Sequence, residues 1–397
     1  MMRKIGYFLV VLMLVSGFLA AAGAVEEVEG VTEDTILLGT FQAMTGPVAS
    51  IGVPVAEGLE AYFQYVNKEG GINGRAVELI IADDQFNPAN TVVEVQRLVE
   101  SDKVFAIIAG LGTPGVLAVM DSLNEDGVPF VYQASGSSKI AVPPKEFTFP
   151  VQPNYLVEGN IMTRYLVEEK GAKKIAIIYR NADDGKEEFG AVSAAIGQYG
   201  AELVAAVPVN PTATDFSVEI NKIADAEPDA IIVMLFNPQT PNFIKQAKQY
   251  GLTEPDYLMS YPNADATFVI LAGEASEGVE VMAWVDVDFT ATDFLPFTIW
   301  QEFKGDESLP NAFTLAGMAA AELFVEAAQR AGANLTRATL VDSLEGFENW
   351  SGDIATGISY KPYSADDETC RLGKQSMYVL KVVDGVWTRE ADWVFYQ

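Results

Sequence analysis

Short apolar segments alternate with amphipathic ones along most of the chain, and the alternation runs twice. Before residue 136 the strand-like segments are TILLGTF, AVELIIADD, VFAIIAG and VPFVYQAS, with helix-like segments between them. After TFPVQPNY at 148–155 the order restarts with KKIAIIYRN, DAIIVMLFN and DYLMSY. Strands that alternate with helices in this way form parallel sheets covered by helices. The sequence therefore predicts two α/β lobes joined by extended crossings.

The lobe boundaries follow from the points where this rhythm breaks. We assign 32–152 plus 284–357 to the first lobe, and 153–283 plus 358–397 to the second lobe. A long alanine-rich helix is predicted from about 311 to 330. The Asp-Gly pair within MYVLKVVDGVWTREADWVFY indicates a C-terminal hairpin, because this dipeptide favours a tight turn between strands.

The N-terminal segment 1–24 has the pattern of a secretory signal peptide. Arg3 and Lys4 precede an apolar stretch, and the small-residue sequence AGA ends at Ala24. A membrane anchor is the alternative, but the apolar stretch is short of the roughly 20 residues that a span needs. We predict cleavage near Ala24 and a periplasmic or extracellular mature protein.

Composition removes several functional classes. The chain has no histidine, which excludes Ser-His-Asp catalysis and histidine-based zinc sites. Its single cysteine, Cys370, excludes an internal disulfide. A formal charge of −30 opposes binding to nucleic acid. A carboxylate-pair hydrolase is the remaining enzyme alternative, but acidic pairs are expected by chance in so acidic a chain. We therefore predict a non-enzyme with no catalytic residues, metal or cofactor.

Four segments, in order, resemble the leucine/isoleucine/valine-binding family of periplasmic solute-binding proteins. They are QAMTGPVASIG, VNKEGGINGR, ELIIADDQFNP and AGEASEGV. Members of this family are receptors of ABC importers for branched-chain amino acids and related small molecules. The resemblance implies two Rossmann-like lobes with parallel sheets, a three-crossing hinge, and a small ligand clamped between the lobes. It also implies a membrane permease as the partner, and we expect the protein to be a monomer.

The GLGTPG segment at 110–115 fits the glycine pattern of a dinucleotide-binding turn. That motif requires an acidic residue at the end of the next strand, whereas this strand ends in FVYQASGSS. We therefore do not expect NAD. The resemblance implies instead that Gly112 and Thr113 face the cleft at a helix start, which suits a ligand carboxylate. Thr113 is predicted as the N-cap and Pro114 as the first helical residue, so the Thr113 hydroxyl either caps the helix or contacts the ligand.

The QASGSS turn at 133–138 is the second predicted contact segment. By resemblance, backbone carbonyl and hydroxyl groups here bind an amino-acid head group, and Ala134 and Gly136 match those positions. Gly136 replaces a threonine that is frequent in the family, so Ser135 or Ser137 supplies the hydroxyl. The alternative is an ordinary Gly/Ser turn with no ligand contact.

Other positions depart from the family pattern. Ile51 replaces a ligand-stacking tyrosine, and Asp184 stands where amino-acid-binding members have an aromatic residue. Phe236 matches a second aromatic position. Pro262 or Asn263 stands where a carboxylate normally binds the ligand's ammonium group.

These departures leave two ligand classes open. Either Asp184 or Asp265 pairs with an ammonium group, or the ligand is an aromatic or aliphatic acid that has none. The predicted function is an exported solute-binding protein that clamps a small carboxylate-bearing ligand, such as a branched-chain amino acid, and delivers it to a permease. A ligand sensor for a membrane signalling protein is the further alternative.

Overall fold

The computed structural model describes residues 28–46, 48–287 and 293–396, so the predicted signal peptide at 1–24 lies outside the described residues. The strands are β1 Thr35–Gln42, β2 Ala76–Asp83, β3 Ala106–Leu111, β4 Phe130–Ala134, β5 Thr148–Phe149, β6 Lys174–Arg180, β7 Glu202–Val209, β8 Ala230–Met234, β9 Asp256–Met259, β10 Glu280–Ala283, β11 Ile358–Ser359, β12 Gly373–Lys374, β13 Ser376–Val383 and β14 Val386–Phe395. The α-helices are α1 Ala49–Lys68, α2 Pro88–Gln96, α3 Thr113–Glu125, α4 Tyr155–Arg164, α5 Asp183–Gln198, α6 Ser217–Asp225, α7 Gln239–Gln249, α8 Ala266–Ala272, α9 Leu295–Lys304, α10 Ala312–Ala331 and α11 Arg337–Glu345.

The first sheet is parallel and has the strand order β2-β1-β3-β4-β5. Every residue of β3 is buried, because helices cover both faces of the sheet. This burial explains why the strand reads as an unbroken apolar run. We call this sheet and its helices α1–α3 and α9–α11 the first lobe.

The second sheet has the order β14-β13-β10-β9-β8-β6-β7. Strands β6 to β10 are parallel, whereas β13 and β14 are antiparallel to their neighbours. The sheet is therefore mixed, because the C-terminal hairpin adds its two strands beside β10. The predicted turn is present, with φ of 53° at Asp384 and 75° at Gly385. This sheet and α4–α8 form the second lobe, and the predicted α/β fold class is confirmed.

Helices α1 and α10 pack at close range in the first lobe. A Cβ added to Gly58 would lie 2.1 Å from the carbonyl oxygen of Thr314, and one added to Gly317 would lie 2.3 Å from that of Val55. The predicted alanine-rich helix is present, and the side chain of Asn311 caps it by accepting from the backbone of Phe313 and Thr314. Ile51 and Phe313, near the starts of the two helices, pack in one apolar cluster.

The chain crosses between the lobes in three segments: after β5, after β10, and around β11 and β12. These segments hydrogen-bond to one another. The backbone N–H of Asp286 donates to Ile354 O at 3.1 Å, and that of Lys374 donates to Val151 O at 3.0 Å. Our predicted lobe boundaries fall in these segments and stay a proposal. Across the described residues, no helix combines the length and apolar character that a membrane span requires.

Candidate ligand-binding cleft

A cavity of about 380 Å³ lies between the two sheets, at the carboxyl ends of their parallel strands. Residues that follow β3 and β4 line it from the first lobe, and residues that follow β6, β8 and β9 line it from the second. Side chains at the carboxyl ends of parallel strands converge at one edge of a sheet, where ligands of open α/β folds bind. Both lobes and the crossings between them thus contribute to one site, which we call the cleft.

The first-lobe wall of the cleft is mainly apolar. Helix α1 contributes Ile51 and Val55, and the start of α10 contributes Phe313 and Leu315. The described residues that line the cleft from this lobe include no charged side chain. Ile51, which stands where the family has a ligand-stacking tyrosine, lies in this wall and packs with neighbouring apolar residues. The wall therefore suits the apolar body of a ligand.

Gly112 and Thr113 line the cleft at the start of α3. The helix begins at Thr113, so Gly112 is the N-cap, and our prediction of Thr113 as the N-cap was wrong by one residue. The reason is the φ of 94° at Gly112, which glycine adopts at little cost. The Thr113 hydroxyl makes no cap and instead lies 2.7 Å from the Ser135 hydroxyl. A pair of hydroxyls thus stands beside the free N–H groups of a helix start.

The QASGSS turn divides between two environments. Ala134 and Ser135 line the cleft, whereas Gly136 and Ser137 are not among its lining residues. The Gly136 carbonyl accepts from the backbone N–H of Tyr155 at 2.7 Å. The Ser137 hydroxyl donates to Glu187 of α5 at 2.8 Å. The second half of the turn therefore contacts the second lobe.

Arg180, Asp184 and Phe236 form the opposite wall. Nε of Arg180 lies 3.1 Å from Oδ2 of Asp184, and its guanidinium carbon lies 4.3 Å from the centre of the Phe236 ring. Both charged side chains are only 17% exposed. Arg180 was not among the site residues predicted from the sequence, although its position at the end of β6 could have indicated a place in the cleft.

Asn263 does not line the cleft. Its side-chain amide donates to the carbonyls of Leu235 and Ser260 at 2.9 and 3.1 Å, and the residue is fully buried. Asp265, the other acidic candidate of this segment, caps α8 by accepting from Phe268 at 3.1 Å. Burial raises the pKa of Asp265. Neither residue lines the cleft.

Aromatic residues of β4, of the crossings and of the second lobe close the remaining side. The Tyr132 hydroxyl donates to Oε1 of Gln152 at 2.6 Å, and Nε2 of Gln152 donates to the Tyr261 hydroxyl. Tyr155 and Trp284 complete this surface. None of these residues was predicted, because they lie far apart in the sequence and only the fold brings them together.

Two buried carboxyl groups, Glu158 and Glu188, lie in the second lobe without lining the cleft. Oε1 of Glu158 accepts from the backbone N–H of Tyr261 at 3.0 Å. Burial raises the pKa of Glu158 to about 7 and holds the pKa of Glu188 well above its usual value. The charge of Glu158 raises the pKa of Glu188 further.

Comparisons with known proteins agree with this architecture. The sequence pattern of the family described as periplasmic binding protein matches residues 35–386. A Leu/Ile/Val-binding protein homolog 3 of Brucella melitensis is 27% identical over 362 residues, which span 88% of this chain and 92% of that protein.

Two solved structures share the fold. A branched chain amino acid ABC transporter protein of Thermus thermophilus with bound valine is 20% identical, with a TM-score of 0.80 over 92% of this chain and 97% of that one. A solute binding protein of an ABC transporter of R. palustris in complex with benzoate is 18% identical, with a TM-score of 0.76 over 91% and 98% of the two chains. Because the family pattern matches residues 35–386, the chain belongs to the periplasmic binding protein family.

Proposed function

We propose that the protein is an exported solute-binding protein of an ABC importer. It clamps a small carboxylate-bearing ligand between its lobes and delivers the ligand to a membrane permease. The observation that carries this proposal is the mainly apolar cleft of about 380 Å³ with a helix start and two hydroxyls at one end. Its volume is in the range of small-molecule sites, roughly 300–1,000 Å³.

The ligand carboxylate is proposed to lie at the start of α3. The free N–H groups of the first helical turn and the positive end of the helix dipole favour an anion there. The hydroxyls of Thr113 and Ser135 lie 2.7 Å apart, so one donates to the other and the second can donate to such a carboxylate. The apolar body then contacts Ile51 and Phe313. Valine and benzoate, bound by two proteins of the same fold, each combine a carboxylate with an apolar body.

Binding alone accounts for this function, and no catalytic residue is required. The relatives found by comparison are binding proteins rather than enzymes. Closure of the lobes about the three crossings removes the ligand from water and presents both lobes in one orientation to a permease. We propose that the protein acts as a monomer in the periplasm or outside the cell.

A ligand panel on the refolded chain tests the proposal. Residues 25–397 are unfolded to remove co-purified ligand, refolded, and scanned for thermal stabilisation by amino acids, aromatic acids and short fatty acids. A ligand at 100 times its Kd stabilises the native state by about 2.7 kcal/mol. We expect stabilisation by at least one small carboxylate. Stabilisation by none of them would overturn the proposal. In a second experiment the purified protein is used to capture partners from membranes, and capture of a signalling receptor rather than a permease would also overturn it.

A further inference from the structure

The charged side chains of the cleft all come from one short segment. Among the described lining residues they are Arg180, Asp183, Asp184 and Lys186. Asp183 and Lys186 are exposed to solvent, whereas Arg180 and Asp184 are mostly buried and paired with each other. The charge that faces an enclosed ligand is therefore that of the Arg180–Asp184 pair.

An ammonium group buried in the cleft would need a carboxylate partner, because an unpaired buried charge is costly. Asp184 is already paired with Arg180, with 3.1 Å between Oδ2 and Nε. Asp265 caps α8 and does not line the cleft. Pro262, which does line the cleft at the position of the expected acid, has no side-chain acceptor.

The backbone carbonyls predicted for an amino-acid head group also have partners. Ala134 O accepts from the backbone N–H of Gly112 at 3.1 Å, and Gly136 O accepts from Tyr155 at 2.7 Å. The Ser135 hydroxyl is paired with Thr113. The groups that the resemblance assigned to an amino-acid head group therefore already form hydrogen bonds within the protein.

Arg180, by contrast, has N–H donors without hydrogen-bond partners. An arginine side chain carries five N–H donors and no acceptor. Within the described residues none of them makes a hydrogen bond of good geometry, and Nε is a buried donor without a hydrogen-bond partner despite its closeness to Asp184. The guanidinium lies over the Phe236 ring, which holds it against the cleft wall. An oxygen on the ligand would satisfy these donors, and an ammonium group would not.

We infer that the cleft selects small carboxylic acids that have an apolar body and no amino group, and that Arg180 determines this selection. Arg180 neutralises the charge of the Asp184 carboxylate that an ammonium group would need, and it offers its own donors to the ligand carboxylate from the wall opposite α3. This inference rests on the proposed function, since it describes the ligand of the same cleft.

Leucine and its amine-free analogues form a matched test. Binding to the refolded wild-type chain is measured by calorimetry for leucine, 4-methyl-2-oxopentanoate and 4-methylpentanoate, together with benzoate. We expect at least one amine-free acid to bind at least tenfold more tightly than leucine. Leucine binding as tightly as or more tightly than all three acids would overturn the inference while supporting the proposed function. Binding of none of the four would instead count against the proposed function.

Two variants test the role of Arg180 directly. Arg180→Gln frees Asp184, so we expect the preferred acid to bind at least tenfold more weakly and leucine to bind more tightly. The gain for leucine should disappear in R180Q/D184N, which lacks the freed carboxylate. Arg97→Gln, the same change at an exposed arginine of the first lobe, should alter neither affinity. Unchanged selectivity in a folded R180Q chain would show that Arg180 does not determine it; the wild-type comparison stands even if that variant fails to fold.

Discussion

Glu187 of α5 contacts Ser138 between the two lobes. Oε1 of Glu187 accepts from both the backbone N–H and the hydroxyl of Ser138, each at 2.7 Å, and Oε2 accepts from Ser137. Glu187 belongs to α5 of the second lobe, whereas the serines follow β4 of the first. The contact therefore joins the two lobes directly, beside the cleft rather than within it.

Removing this contact should weaken ligand binding without touching the ligand. We expect Glu187→Ala to raise Kd about tenfold, equivalent to about 1.4 kcal/mol, because the hydrogen bonds that join the two lobes through this carboxylate are lost. The effect should lie mostly in the dissociation rate. Stopped-flow dissociation and calorimetry measure both quantities. Glu202→Ala, at an exposed position of β7, is the matched control, and equal dissociation rates in the two variants would contradict the prediction.

The buried pair Glu158 and Glu188 should make the second lobe less stable at high pH. A carboxyl group whose pKa is raised by folding binds more protons in the folded state. Its stabilising effect is therefore complete below the unfolded pKa and is lost as the pH rises through the folded pKa. For Glu158 this window runs from the usual value of 4.5 to about 7. The charged and polar neighbours that act on Glu188 include Asp184, Arg180 and Glu187.

We expect Glu158→Gln to raise Tm by several degrees at pH 8 and to change it little at pH 5, because the pKa of Glu158 is about 7. The change removes a buried charge that exists only at the higher pH, and about 1 kcal/mol corresponds to roughly 2–4 °C for a unit of this size. Comparing variant with wild type at each pH cancels the contributions of Glu322 and Lys374, whose pKa values burial also shifts. An equal Tm change at both pH values would contradict the prediction, and Glu202→Gln is the control.

The sequence predicted the parts of the fold that depend on local pattern. Apolar periodicity placed the strands and helices, and the Asp384–Gly385 turn placed the hairpin, because these signals act over a few residues. The start of α3 was misplaced because it depends on the backbone angle at Gly112, which sequence patterns do not report. Local pattern thus sufficed for the elements but not for their ends.

The site was only partly predictable for a different reason. Ile51 and Phe236 line the cleft as expected from position, although their contact with a ligand stays a prediction. Arg180 and Trp284 were missed because their place depends on how the second sheet and a crossing approach the first lobe. Asn263 belongs to a segment that lines the cleft, yet its own side chain donates to the carbonyl of Leu235. The direction of a side chain within a turn can be determined only from the tertiary structure.

Helices α1 and α10 pack too closely to accommodate a side chain at Gly58. Its added Cβ would lie 2.1 Å from a backbone oxygen, so one helix would have to move. We expect Gly58→Ala to destabilise the chain by about 1–3 kcal/mol, the usual cost of overpacking. Gly197→Ala is the matched control, since that glycine of α5 has no atom within 4 Å of the added Cβ. It should stabilise the chain by up to about 1 kcal/mol. Equal effects on Tm would contradict the packing argument.

The paired hydroxyls of Thr113 and Ser135 give the last prediction. If one hydroxyl donates to the ligand carboxylate while the other orients it, Thr113→Val and Ser135→Ala should each raise Kd about tenfold or more, since a hydrogen bond to a charged group contributes about 1.5–3 kcal/mol. In the double variant Kd should rise by less than the product of the two single-variant factors, because the hydroxyls lie 2.7 Å apart and orient each other. Calorimetry with the best ligand of the panel measures this cycle, and Thr298→Val, at an exposed position of α9, is the control. If Thr113→Val lowered Tm but left Kd unchanged, the hydroxyl would serve only the local structure, and the carboxylate would have to lie elsewhere in the cleft.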